Sequence, residues 1–421
     1  MSKFPLKAAA DLTDKGQLKI NVTSSITPDP ITGATISISF TGDPTSTVEK
    51  VNTDNSGQTE FIDLAAPAVE FSLEPSQPVQ PYSEYNLTVS APGYDSIVIS
   101  GTQILPGVKS LQNITLTPTE FKETTGEVVI PAHTLYGEYP PKIPESEIKP
   151  IPESGEIVLS RVVIPEYVIV HDGSPDDLNA SNYYTKYKDY IKNVASSEIY
   201  ATWPENTIYA NILAIMSFTL NRVYTEWYRN KGYNFTITSN TAFDQKWMYK
   251  RNIYENINYL VDSIFANFLS RPGISQPILT SYCDGQRVSC KGLSQWGSKY
   301  LGDEGYSSID IIHYYYGSDM YINTAVAVSG VPSSFPGYVL SIGASGQKVQ
   351  QLQEQLNRIA KNYPAIPTIS ADGIYGNSTA EAVKTFQKIF SLPQTGDTDY
   401  PTWYAISDIF VAVSRIAEPG Q

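Results

Sequence analysis

A chain of 421 residues has room for about three domains at roughly 150 residues each. Its 29 Lys and Arg against 43 Asp and Glu leave a net charge of −14. That excludes a non-specific nucleic-acid binder, which needs a basic face to displace counterions, and a polybasic membrane-surface protein. The acidity is uneven: residues 1–160 hold 9 Lys, no Arg, no Trp and 20 acidic residues, whereas residues 161–421 hold 20 basic and 23 acidic ones. Two differently composed parts meet near residue 160. Tyr outnumbers Phe by 30 to 14, a bias that suits surfaces binding sugars or peptides as well as cores. The opening MSKFPLKAAADLTDKGQL has no apolar core segment, so no Sec signal peptide is expected, and no apolar run is long enough for a membrane helix. Two cysteines exclude a disulfide-dense scaffold.

In chain order, residues 1–120 read as an all-β sandwich. Alternation marks residues 17–22, 34–40, 85–90 and 96–100, and turn residues separate them at Pro28-Asp29-Pro30, Thr32-Gly33, Asn55-Ser56-Gly57 and Pro92-Gly93. Residues 121–161 are rich in Pro and Glu, and are expected to form an extended, solvated, acidic linker open to proteolysis. Residues 162–335 mix both element types as an α+β domain, with helices expected over 183–199, 205–230 and 255–271, a strand at PILTSY, and helices at GLSQWGSKYLG and SSIDIIHYYYG. Residues 336–421 predict a small three-helix bundle, with Asn377 or Ser378 capping its second helix. The fold class is therefore multidomain: β-sandwich, α+β domain, helical bundle.

Three sets of motifs carry resemblances. The order ITGATISI, TDNSGQTEF, APGY is similar to carboxypeptidase-regulatory-like (transthyretin-like) sandwiches, which are usually structural. At the other end, Gly343-x-x-Gly346-x-x-Val349-x-x-Leu352-Gln353, Asp372-Gly373-x-Tyr375-Gly376-x-x-Thr379, Phe386-Gln387 and Gly396…Thr402-Trp403 resemble the peptidoglycan-binding type 1 domain. That resemblance makes Asp372, Tyr375, Gln387 and Trp403, read as exposed loop residues, candidate contacts for a glycan or stem peptide. In the middle, Tyr190, Val194, Glu198 and Trp203-Pro204 before a long helix, then Gln245, the stretch Ser289–Gly297, and Tyr315-Tyr316-Gly317, resemble the SpoIID/LytB-like family. Two departures are plain: the first Gly-His of the family's second signature is missing, and Ile199 stands where the family has Met.

Together these parts resemble the clostridial spore cortex-lytic enzymes. The resemblance implies a proenzyme located in the spore and made in the mother cell. A subtilisin-like Csp protease would cut it in the linker region, with Ser160, Arg161 and Val162 as the candidate place, and the mature form would act on cortex peptidoglycan as a lytic transglycosylase. It implies Glu198 as the catalytic residue. The chemistry fits: an acid must protonate the leaving oxygen of a MurNAc–GlcNAc bond, and when the muramic C6 hydroxyl attacks its own anomeric carbon the same carboxylate can take that proton. Trp203, Gln245, Ser294, Gln295 and Trp296 are candidate substrate contacts, amide and hydroxyl groups suiting N-acetyl groups and indoles suiting a pyranose face. No cofactor and no metal are expected: the three His are scattered, and Cys283 and Cys290 are a disulfide, two free thiols or part of a metal site. A non-catalytic wall-binding or amidase-enhancer protein, a muramidase and an amidase are the alternatives.

Overall fold

The computed structural model describes residues 13–75, 79–121, 126–149, 162–325, 327–329 and 335–414. It is a multidomain mixed α/β protein with eight α-helices among those residues. Alternation builds the first part. In β1 (Asp14–Ser24) Leu18, Ile20 and Val22 fall on one side and are fully buried. β2 (Thr35–Phe40), β3 (Asp43–Asn52), β4 (Ile62–Ala66), β5 (Ser83–Ser90), β6 (Ile97–Ile104), β7 (Lys109–Leu116) and β8 (Glu127–Val129) complete it. β1 lies between antiparallel β4 and parallel β7, and a second sheet runs β3-β2-β5-β6-β8. Ile36, Ile38, Leu87, Val89 and Ile99 of the second sheet share one buried apolar cluster with β1. The Asn55-Ser56-Gly57 turn needs its glycine, since φ is +70° and a Cβ would stand 2.5 Å from the Val22 carbonyl.

The parts are interlocked. Ile253–Tyr254, far along the chain, pairs antiparallel with β7 and so extends the first sheet. Just before it the Asn252 amide clamps the backbone of β6: its Oδ1 accepts from the Gln103 N–H (3.0 Å) and its Nδ2 donates to the Gln103 carbonyl (2.8 Å). The Trp203 indole N–H donates to the Ser72 carbonyl (2.9 Å).

The expected solvated linker is corrected by the structure. Residues 131–149 lie as a strap across the central region. Thr134 donates to the Ser197 carbonyl through both its N–H (3.2 Å) and its hydroxyl (2.7 Å), and His133 is fully buried against Tyr200. Further on, the Ile143 N–H donates to Ala242, the Leu279 N–H donates to Glu147, and the Gln276 amide brackets the Lys149 backbone. Proline keeps this stretch extended and removes donors, and its remaining polar groups find partners on the surface beneath. Of the expected cleavage residues, Ser160 and Arg161 lie outside the described residues. Val162 is buried, beside Val163–Ile164, which pairs with Ala327–Val328.

The central helices are shorter than periodicity suggested. The segment expected as helix from residue 183 opens as a strand, Asn182–Lys186, paired with Tyr167–His171. α1 (Tyr187–Glu198) starts after it. α2 (Glu205–Tyr224) is buried on nearly every side and ends where Glu226 turns to φ +46°. α3 (Glu255–Ile264) stops early because Asn267–Ser270 pairs with Tyr321–Thr324. The expected PILTSY strand shrinks to Tyr282–Cys283, paired with Leu293–Ser294, and Cys283 and Cys290 form a disulfide. α4 (Gln295–Asp303) and α5 (Ser308–Tyr316) follow, the latter with a Ser307/Asp310 capping box.

α6 (Gln347–Ala360), α7 (Asn377–Ile389) and α8 (Tyr400–Ser414) make the C-terminal helical region around Leu352, Leu356, Phe386 and Trp403. Gly376, with no side-chain cap, precedes α7, in place of the expected Asn377 or Ser378. Lys188–Asp408 and Phe265–Tyr404 tie this region to the central one.

Replacing Asn252 by Ala leaves the buried Gln103 N–H without this partner and its carbonyl with only the long Ser110 hydroxyl contact (3.4 Å), and is expected to cost about 2 kcal/mol. A urea midpoint unchanged from wild type would show that the clamp does not hold the sandwich to the central region.

Candidate active site

Glu198 is the last residue of α1. Tyr190, Ile191, Val194 and Ala195 anchor the helix in the core, and the chain leaves it in extended form at Ile199, so the carboxyl is carried at a fixed depth with 0% exposure. One oxygen accepts the Lys246 backbone N–H (2.5 Å) and the other the Gln295 side-chain amide (3.2 Å). The Tyr282 hydroxyl and the Lys142 ammonium also face it. Burial pushes its pKa above the ordinary carboxylate range. Lys142, the Lys246 N–H, Tyr282 and Gln295 pull the other way without cancelling that effect. No second carboxylate is among these neighbours. A shift in this direction is the one a general acid requires.

Of the sequence-predicted residues, Gln295 touches Glu198 directly, and its Oε1 is buried without a hydrogen-bond partner. Ser294 caps α4, accepting the Gly297 N–H (2.9 Å). Trp296 and Trp203 pack on each other with ring centroids 4.9 Å apart, 3% and 4% exposed, so in this form neither indole face is open. Gln245 is fully buried and bonded to Tyr190, Thr219 and the Ile215 carbonyl. It holds the turn that delivers the Lys246 N–H rather than presenting an amide to a ligand.

Sequence reading missed what covers the site. Tyr139 and Lys142 come from the strap. The Lys142 ammonium donates to the Asp244 carbonyl and lies over the Tyr282 ring (4.6 Å), and burial lowers its pKa while Glu198 and Asp244 raise it. Tyr139 is buried beneath Arg287, whose guanidinium donates to the Thr134 and Gly137 carbonyls of the same strap. Arg222, wholly buried, donates through Nε to Asp244 (2.7 Å) and through its two terminal nitrogens to both oxygens of Glu145 (2.9 and 2.6 Å). Arg271 grips Glu147 through Nε and one terminal nitrogen, its other terminal nitrogen donating to Asp319. The proline-and-glutamate pattern marked the strap as extended, but no local signal names partners so distant in sequence.

In the C-terminal region, the expectation of four exposed contacts is corrected. Tyr375 is fully buried and donates to the Gly396 carbonyl (2.9 Å). Gln387 is buried and ties the Thr395–Thr402 turn, and Trp403 is in the core. Asp372 is exposed, accepting the Ile374 N–H (2.9 Å) and the Gln353 amide (3.1 Å).

Residues 345–406 match the family model described as a putative peptidoglycan binding domain. The chain therefore carries a peptidoglycan-binding module at α6–α8. No curated protein matches the chain. Among solved structures, the SleB N-terminal domain is similar at 31% identity, with 18% of this chain covering 99% of that one at a TM-score of 0.16. The Bacillus anthracis TIE protein is similar at 16% identity over 25% of this chain and 18% of that one, TM-score 0.18. Klebsiella pneumoniae 5-hydroxyisourate hydrolase is similar at 17% identity over 24% and 90%, TM-score 0.16. TM-scores this low carry no functional weight. No helix among the described residues is long and apolar enough to cross a membrane.

A carboxyl whose pKa is raised on folding makes the fold less stable as pH rises from the unfolded value of 4.5 through the folded one. Glu198→Gln is therefore expected to gain stability relative to wild type at neutral pH and to lose that advantage as pH falls below 4.5. Denaturation midpoints of both chains across that range test it; a difference independent of pH would contradict the raised value.

Proposed function

We propose that the chain is a spore cortex-lytic enzyme of the kind represented by clostridial SleC. In this reading it is stored in the spore as a proenzyme and cleaves the MurNAc–GlcNAc bond of cortex peptidoglycan as a lytic transglycosylase, with a SpoIID/LytB-like central domain. The observation that carries the reading is the buried Glu198, whose pKa is raised by burial and whose carboxyl is hydrogen-bonded to no second carboxylate. In the reaction its proton passes to the glycosidic oxygen as the C1–O bond breaks. The C6 hydroxyl of the same muramic residue then forms the new bond to C1 and returns its proton to Glu198. Atoms balance without water, so one carboxyl suffices, whereas hydrolysis calls for a second to activate water. Gln295 and the Lys246 N–H hold the carboxylate between the two steps.

The strap supports the proenzyme part. Tyr139 and Lys142 of the strap are buried close enough to Glu198 to feel its charge, so in this reading they cover it, and the Lys142 charge favours the carboxylate form, which cannot act as acid. In this reading a subtilisin-like Csp protease opens the chain between Lys149 and Val162, and the peptidoglycan-binding module keeps the enzyme on the wall. A second reading, a wall-binding protein without catalysis, draws on the module alone.

Mass spectrometry of digested cortex separates these. Activated wild type is expected to give 1,6-anhydro-muramic ends, one water lighter than hydrolysis products. Glu198→Gln is expected to lower their yield by about 10²–10⁴-fold while still binding cortex. Ordinary reducing ends would indicate a muramidase, released stem peptides an amidase, and no product a binding protein. The uncut chain is expected to be inactive in the same assay; full activity without a cut would refute storage as a proenzyme.

A further inference from the structure

The strap lies on the central region in the manner of a bound peptide. Over residues 143–149 its backbone is held by the Ile143 N–H on the Ala242 carbonyl (2.8 Å), the Glu147 carbonyl on the Leu279 N–H (3.0 Å), and both polar groups of Lys149 on the Gln276 amide (3.0 Å each). Between these points two carboxylates, two residues apart, sit in two guanidinium forks. Glu145 occupies both terminal nitrogens of Arg222, and Glu147 two nitrogens of Arg271. A planar fork of this kind matches a carboxylate better than any other common group.

The forks belong to the central region and are themselves held in place. Arg222 is kept by Asp244 and lies against the rings of Phe218 and Trp227. The Lys231 ammonium also lies over the Trp227 ring, at 3.5 Å, and feels the charges of Glu145 and Asp244. Were the strap to leave, it would take Lys142, Glu145 and Lys149 with it. Arg222 would keep one carboxylate partner, Asp244, and Lys231 would lose the Glu145 charge, so two cations would face one carboxylate at this end of the groove, with an unfilled carboxylate position between them. The direction of the strap matters too. Lys142, over the Tyr282 ring, is near enough for its charge to act on Glu198, and Glu145 lies three residues on, roughly 10 Å along an extended chain. A muramic residue at Glu198 would hang its stem peptide over a comparable distance.

We propose that the groove of Arg222, Arg271 and Gln276 is a subsite for the acidic stem peptide of peptidoglycan, and that the Glu145 and Glu147 carboxylates of the strap occupy the positions of the stem-peptide carboxylates. The ligand class is an extended short peptide with two carboxylates spaced roughly as those of Glu145 and Glu147 are, a spacing that the γ-linkage gives to the neighbouring glutamyl and diaminopimelyl residues of a stem peptide. The assignment of that peptide to a muramic residue rests on the glycan-cleaving reading of Glu198. The groove's preference for an acidic peptide does not.

The test uses the full chain and the tripeptide L-alanyl-γ-D-glutamyl-meso-diaminopimelate, with its fully amidated form as control. Because peptide and strap compete, the acidic tripeptide at millimolar concentration is expected to speed hydrogen exchange of the Ile143 and Leu279 amides several-fold, and the amidated one to leave it unchanged. In the Glu145→Gln/Glu147→Gln chain, whose strap has lost its charges, calorimetry is expected to show the acidic peptide binding at least tenfold tighter than to wild type. Arg271→Gln, at a partly exposed position that spares the buried Arg222–Asp244 pair, is expected to weaken both responses. No response to the acidic peptide in either chain, or equal responses to both peptides, would overturn the proposal. Glu198→Gln is expected to keep the peptide response in full. A chain that binds the peptide but yields no cleaved cortex would preserve the groove and remove the enzymatic reading.

Discussion

A buried guanidinium shared by two carboxylates organises this molecule. Arg222 has Asp244 on one edge and Glu145 on the other, and the Arg222 and Asp244 side chains are completely excluded from solvent. Asp244 in turn accepts the Thr238 N–H and the Thr238 and Tyr228 hydroxyls, so the guanidinium position is fixed by the central fold before the strap arrives. The strap then supplies the charge that completes it. A buried ion pair adds little over an apolar substitute, but removing one partner costs about 3–5 kcal/mol because the other is left unpaired. The strap is thus held chiefly by the penalty for leaving, and with it the cover over Glu198.

That cover explains a tension within the site. On the proposed reading Glu198 is a catalytic acid, which needs access, yet it has none. Its neighbours are nonetheless unlike those of an ordinary core carboxylate: they comprise one backbone N–H, one amide with an unused oxygen, a tyrosine and a displaceable lysine. The two central-region donors, Lys246 N–H and Gln295, come from segments fixed independently, by the buried Gln245 network and by the Ser294 cap. The Lys142 charge comes from the strap. The permanent groups therefore hold a carboxyl in place, while the removable one biases its charge state.

Much of this was legible in the sequence, and the boundary between legible and illegible is physical. Alternation gave the strands of the sandwich, and the Asp372–Thr379 and Phe386-Gln387 motifs located the wall-binding module. Helix ends were misjudged where a β-pairing partner was remote, as when Asn267–Ser270 leaves the α3 pattern to meet Tyr321–Thr324. Tyr375, Gln387 and Trp403 were expected at the surface because their neighbours are turn residues. In a bundle this small, however, the loops fold onto the helices, and polar side chains such as Gln387 serve as internal braces. Glu198 was singled out by resemblance rather than composition. The strap was read as solvated because Pro and Glu report extension and polarity, properties equally suited to water and to a groove lined with arginine. Its partners Arg222 and Arg271 stand 77 and 124 residues away.

The same geometry bears on how a cut would act. A break between Lys149 and Val162 severs none of the described contacts that hold the strap. Strap and sandwich would stay docked through the Asn252 clamp, the Ile253–Tyr254 pairing and the two arginine forks. What the break removes is covalent linkage, and with it an effective concentration of order millimolar that keeps the strap in its groove. After the cut, residence depends on the affinity of the separated N-terminal piece and on what competes for the forks. Peptidoglycan supplies carboxylates at high local density, brought near by the module at α6–α8. The N-terminal 160 residues carry most of the net negative charge, so an anionic wall also disfavours their return. The cut and the substrate would then act together, the first making the strap's departure reversible only by re-encounter, the second occupying the groove it leaves.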